Sequence, residues 1–155
     1  MKTKITFIAL LLSTAAVSLC LAAADPFMGT WKLNESKSKI PSGASKLHTV
    51  VYAGSGDKVT VTVDSIDPSG KAVHQTWSGK LDGKPYPVKG DPSHDARAYT
   101  QADARTITFT VMKAGKEVGK GKVVLAADGK SRTVTQTLQD AKGKSVTQTA
   151  IYDKQ

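Results

Sequence analysis

The chain is 155 residues long, carries a formal charge of +9 and contains one cysteine. That length makes one domain and calls for no second, and a lone cysteine excludes a disulfide-stapled scaffold, so core and strand ladder must hold the fold. The basic balance favours anionic partners such as lipid headgroups, acidic glycans or nucleic acid, and acts chiefly on encounter and solubility.

The first residues read as an export signal. Lys2 and Lys4 precede a mostly apolar run from Ile5 to Leu21, then Ala22-Ala23-Ala24 before Asp25 and Pro26, the layout of a secretory signal peptide. A membrane anchor would need about 20 consecutive apolar residues, and Ser13, Thr14 and Ser18 interrupt this run. Cys20 follows the bulky Leu19, where a lipoprotein signal prefers a small residue. The expected division is a signal peptide over 1–24 and a β-barrel domain over 25–155, exported to the periplasm or secreted, with no stable membrane insertion after cleavage. Losing the first 24 residues leaves 131 and, with Lys2 and Lys4 gone, a charge of +7.

A strand is expected over 29–33, followed at Asn34-Glu35-Ser36-Lys37-Ser38-Lys39 by a short capped helical turn that Ile40-Pro41 would end. From Lys46 onward one grammar repeats. Runs of seven to ten residues with period-2 alternation are separated by turns rich in Gly, Asp, Pro or Ser. Strands are expected over 46–53, 57–65, 71–79, 96–101, 105–113, 117–126, 131–139 and 144–153, with a short one around 85–89. Asp82-Gly83 and Asp128-Gly129 suit the positive φ angles of tight hairpins. Pro85, Pro87 and Pro92 argue against a central strand and point to an edge or rim loop. Short connections make successive strands antiparallel neighbours. Closure of such a meander removes its exposed edges, which favours an all-β, single up-and-down antiparallel barrel of about 8–10 strands over a two-sheet sandwich.

Parity sorts the faces. Val59, Val61 and Val63 oppose Thr60 and Thr62, and Ile107, Phe109 and Val111 oppose Thr106, Thr108 and Thr110, so threonine forms a wettable outer skin. Three segments share the form Val-x-Gln-Thr-apolar and put Gln75, Gln136 and Gln148 on the apolar face. A buried amide must find partners in protein, water or ligand. One reading is a ligand-accepting cavity with these amides among its polar groups and Trp77 and Phe109 among its apolar ones; the other leaves the amides at strand ends, bonded to each other or to solvent. Arg97 and Tyr99 share a face that nothing in the sequence fixes. Facing inward, Arg97 could hold an anionic headgroup by bidentate bonds; an outward, solvated Arg97 is the more ordinary placement. Lysines 71, 80, 84, 116, 130 and 144 each follow a glycine directly, as solvated turn lysines do, and no dedicated nucleic-acid site is expected.

Catalytic signatures are missing. The chain has no Gly-rich phosphate loop, nucleophile elbow or His-x-x-x-His spacing. His48, His74 and His94 are scattered, so scattered histidine is the default over a zinc or heme site, and no cofactor or metal is expected. Ser93-His94-Asp95 are sequence neighbours, which is not how a hydrolytic triad is assembled in space.

At its two ends the chain resembles a family. Gly29-Thr30-Trp31-Lys32-Leu33 is similar to the opening strand of the lipocalin and fatty-acid-binding-protein (calycin) superfamily, and Ile151-Tyr152-Asp153-Lys154 to the closing strand of its fatty-acid-binding branch. With Gly29-Thr30-Trp31-Lys32-Leu33-Asn34, the segment from Asp82 to Pro87 and the ending from Tyr152 to Gln155, the mature chain also resembles small exported bacterial lipocalin-like proteins of unassigned function. The resemblance implies a barrel around a cavity for a small hydrophobic molecule, with Gly29, Trp31 and Tyr152 as structural motif residues and Trp31 on the floor. It departs from the fatty-acid-binding branch in two ways. Ala150 stands where that branch places a carboxylate-holding arginine, and only Asn34–Ser45 stands in for its two-helix lid. The expectation is a non-catalytic, monomeric binder or carrier of a small, largely apolar molecule. The alternative is a ligand-free envelope protein contacting anionic surfaces through a basic rim.

Overall fold

The computed structural model describes residues 25–155 apart from Ala141 and the side chain of Ser55; the expected signal peptide, with Cys20, lies outside the described residues. Ten strands follow one another: β1 (Gly29–Lys39), β2 (Lys46–Ser55), β3 (Lys58–Ile66), β4 (Ala72–Gly79), β5 (Asp82–Lys89), β6 (Ala96–Asp103), β7 (Thr106–Lys113), β8 (Lys116–Leu125), β9 (Ser131–Gln139) and β10 (Ser145–Lys154). Each pairs antiparallel with the next, and β1 pairs with β10 to close the barrel. Trp31 lies opposite Lys154 on one side and Val50 on the other, so the two terminal motifs meet in one seam. This is a single antiparallel ten-strand barrel, consistent with a calycin-like form. Alternation sends Val59, Val61, Val63, Ile107 and Val111 inward to full burial, while the intervening threonines stay at least partly wet.

The helical turn expected at Asn34–Lys39 does not form; those residues belong to β1. Register explains it. Asn34 faces Ile151 and Lys39 faces Thr149, so five steps along β1 match two along β10 and the extra residues bulge outward. Asn34 does bond ahead as an N-cap would, accepting from the Lys37 N–H at 3.3 Å. Ser38, however, donates to the Asn34 carbonyl at 2.7 Å and accepts from the Ile151 N–H at 2.9 Å, which ties the bulge to β10.

β5 is a complete strand within the closed sheet, so only residues 90–95 of the expected rim loop lie outside a strand, at the mouth, yet the prolines leave their mark. It meets β4 through only Thr76–Lys89 and Trp77–Val88. The Val88 N–H points the other way, to the Asp95 carbonyl at 2.8 Å, so alternation aims the Pro85 and Pro87 nitrogens at β4, where they have no hydrogen to give. Trp77 bridges the thin seam, its Nε1 donating to the Arg97 carbonyl at 3.0 Å.

Candidate functional site

One end of the barrel is shut. Phe27, ahead of β1, tucks under the strands and accepts a hydrogen bond from Trp31 Nε1 at 2.9 Å through its carbonyl. Above it the Arg132 guanidinium sits 4.6 Å from the Trp31 ring, 4.7 Å from Tyr52 and 5.1 Å from Tyr152. Its Nε and Nη1 have no hydrogen-bond partner among the described residues, so the aromatic faces carry the compensation for a buried cation. Burial pulls the Arg132 pKa below its ordinary value and pushes the Tyr152 phenol up to about 12. Sequence reasoning missed Arg132, although it shares parity with Gln136 and Leu138 on β9.

The middle is filled by rings. Tyr99 lies 4.6 Å from Trp77 and 5.6 Å from Phe109, centroid to centroid, and all three are buried. They pack beneath the cavity and do not form its wall. Gly121 makes room for this cluster, since a Cβ there would stand 2.5 Å from Phe109 Cζ.

The upper half is open. A cavity of about 600 Å³ enters from the mouth, where the turns around Ser42–Ser45, Asp67–Pro68 and Asp91–His94 meet Asp140 and Lys142. Leu47, Val73, Leu138 and Val146 border it near the strand ends, and Gln75, Gln136 and Gln148 line it two residues deeper along β4, β9 and β10. The glutamines are 5%, 5% and 8% exposed. Gln136 and Gln148 are direct cross-strand partners, and the three amides are not among the fully enclosed polar atoms left without a partner. The wall is thus an apolar collar above a polar belt. Of the seven cavity candidates read from sequence, four line this space, namely the three glutamines and Arg97.

Arg97 is 7% exposed and faces inward, which corrects the more ordinary outward placement. Its compensation runs through two neutral groups, His94 and Tyr99, with the Asp91 carboxylate behind the first. Nε donates to His94 Nε2 at 3.1 Å, Nη1 donates to the Tyr99 hydroxyl at 3.2 Å, and His94 Nδ1 lies 3.2 Å from Asp91 Oδ2. Accepting from Arg97 requires His94 to be neutral with its proton on Nδ1. His74 pairs with Asp64 on the outer wall at 2.6 Å, and His48 lies 4.0 Å from Glu35, so the three histidines do not converge. Among the described residues, no group of three His, Cys, Asp or Glu side chains could hold a metal ion.

Burial, reinforced by the Arg97 charge, lowers the His94 pKa from 6.5 to about 4, with Lys113 adding to the shift and Asp91 and Asp95 opposing it. A depressed folded-state value means that the unfolded chain takes the proton first as pH falls. Stability is therefore whole above about 6.5 and drains away down to about 4, an effect of up to roughly 3 kcal/mol. The exposed Asp57 and Asp67 are lowered by hydrogen bonds from Lys80 and Ser69, and what they contribute is lost at lower pH still. Urea unfolding at pH 7 and pH 4.5 is expected to separate by most of the His94 effect in the native sequence and by little in His94→Gln. Equal slopes in both proteins would refute the assignment.

A scan against models of known protein families and a search of curated proteins find no match to this chain.

Proposed function

We propose that this chain is an exported, lipocalin-like barrel, a monomer that binds or carries a small, largely apolar molecule without transforming it. The observation that carries the reading is the one-ended cavity, whose wall holds the three glutamines Gln75, Gln136 and Gln148. A sealed core would leave each amide desolvated at a cost of about 1–3 kcal/mol, whereas a cavity that holds water or the hydrogen-bonding end of an otherwise apolar guest would not. The size falls within the range of small-molecule sites, and the collar of Leu47, Val73, Leu138 and Val146 offers apolar contact.

The mouth chemistry supports a non-catalytic role. Ser93 Oγ and Asp91 Oδ2 both approach His94 Nδ1, at 3.0 and 3.2 Å, while Nε2 is occupied by Arg97, so no base stands between a nucleophile and an orienting acid. The outer wall of Thr60, Thr62, Thr108, Lys120 and Lys122 is wettable, which fits a protein that stays out of the membrane. The second reading, a basic adaptor for anionic surfaces, draws on Lys71, Lys116 and Lys144, exposed on mouth-side turns.

Native mass spectrometry of protein taken from its own host is expected to reveal a co-purifying small molecule, and the stripped protein is expected to take up a hydrophobic fluorescent probe, less so in Val146→Trp. A clean apo mass with no probe uptake would end the carrier reading. Tight heparin retention at physiological salt would then favour the adaptor.

A further inference from the structure

The layering of the cavity bears on which end of a guest goes in first and what that end is made of. Inside a polar rim of turn residues stand Leu47, Val73, Leu138 and Val146, and the three glutamines lie below them. A plain hydrocarbon chain driven to the bottom would lay methylenes against Gln75, Gln136 and Gln148 and leave their donors and acceptors unpaired, which is unfavourable for every amide so covered. A hydrocarbon chain held at the collar avoids this, provided that the end reaching down can hydrogen-bond. A guest amide supplies both a donor and an acceptor, as each glutamine does.

Arg97, which lines the same cavity, adds a charge preference. It is buried, and no carboxylate touches it directly, since Asp91 reaches it only through His94. With Nε on His94 and one bond from Nη1 to Tyr99, its Nη2 has no protein partner among the described residues while the residue borders the cavity. The acids on the mouth are engaged elsewhere. Asp67 Oδ1 accepts from Ser69 and Lys71, Asp91 Oδ1 from Ser93, and Asp140 Oδ1 from Lys142 and Lys144, each closing its own turn. Lys71, Lys89, Lys116 and Lys144 are exposed around this end and would draw an anion toward the entrance.

Resting on the carrier reading, we propose that the guest is an amide-bearing carboxylic acid, an N-acylated amino acid or a short apolar peptide. Its carboxylate sits on Arg97, its amide lies against the Gln136–Gln148 pair, and its apolar body fills the collar of Leu47, Val73, Leu138 and Val146. The belt selects the amide and the guanidinium selects the acid, so a simple long-chain acid of the same length satisfies only half of the site.

Isothermal titration of the mature protein with three probes of matched length tests this: N-decanoylglycine, its methyl ester, and tridecanoate. N-decanoylglycine is expected to bind about tenfold or more tightly than either of the others, because each lacks one charged or amide hydrogen-bonding element. Arg97→Gln is expected to weaken the acid far more than the ester and so to close the gap between them. Gln148→Leu is expected to weaken N-decanoylglycine and strengthen tridecanoate, a reversal that general damage to the fold would not produce. A short peptide such as N-acetyl-Leu-Leu then distinguishes the two sources of the chemistry. Tridecanoate binding as tightly as N-decanoylglycine to the native sequence would overturn the proposed guest and leave the carrier reading standing. No uptake of any probe by protein with an intact near-ultraviolet circular dichroism spectrum would overturn both.

Discussion

Arg132→Ala is expected to cost the fold about 3–5 kcal/mol, the range of a large-to-small change in a core or of breaking a buried charge site. The alanine would leave a void between the Trp31, Tyr52 and Tyr152 rings, at the seam where the first and last strands meet. The informative companion is Arg132→Met. Methionine fills much of the same volume, makes sulfur–ring contacts, and removes a cation whose Nε and Nη1 are unpartnered. It is expected to lie within about 1.5 kcal/mol of the native protein or above it, because a well-packed apolar replacement for a buried charge is often neutral or stabilising. Urea midpoints for the two variants decide the matter. If methionine costs as much as alanine, attraction between charge and rings holds the floor, and packing is secondary.

Gly90→Ala should be nearly as damaging, by about 3 kcal/mol or more. Gly90 has a φ of 84°, which costs an L-residue about 1–2 kcal/mol. A Cβ there would also collide with the backbone carbonyl of His74, and a shift that relieves overpacking adds about 1–3 kcal/mol. The position multiplies the effect. Gly90 follows the Thr76–Lys89 rung, one of only two joining β4 to β5, and it leads into the turn that carries Asp91 and His94. Thermal melts of this variant are expected to fall, and its uptake of a fluorescent probe is expected to fall with them. Unaltered melting would mean that β5 can drift from β4 at little cost.

Strand periodicity carried most of the fold into view from sequence. Val59-x-Val61-x-Val63 and Ile107-x-Phe109-x-Val111 can bury only one face, and nearly every turn carried its own glycine or aspartate. The segment from Asn34 to Lys39 misled because a capping asparagine and a bulge asparagine use the same bond, a side-chain oxygen accepting from a backbone N–H three residues on. Only the distant partner Ile151 decides between them. In the site, parity placed Gln75, Gln136 and Gln148 correctly on the inner wall. It could not fix the depth of the space, which depends on how Trp77, Tyr99 and Phe109 turn toward one another. Nor could it orient Arg97, whose neighbours Ala96 and Ala98 suit either face and whose partner His94 lies outside the strand. The floor arginine was legible in principle, since position 132 has the same parity as Gln136, but a guanidinium compensated by rings leaves no acidic partner in the sequence to look for.

A closed ring of strands has no loose end from which to fray, so thermal breathing must begin where the fewest rungs need to be cut, and that joint is β4 against β5. Amide protons flanking it should be the first to trade for deuterium. Opening there would bare two raw edges, the kind through which β-proteins recruit one another into aggregates. Pro85 and Pro87, which thin the joint, also deny it two of the donors that a stranger strand would need in order to dock, so the hinge is weak toward its own partner and unwelcoming to any other.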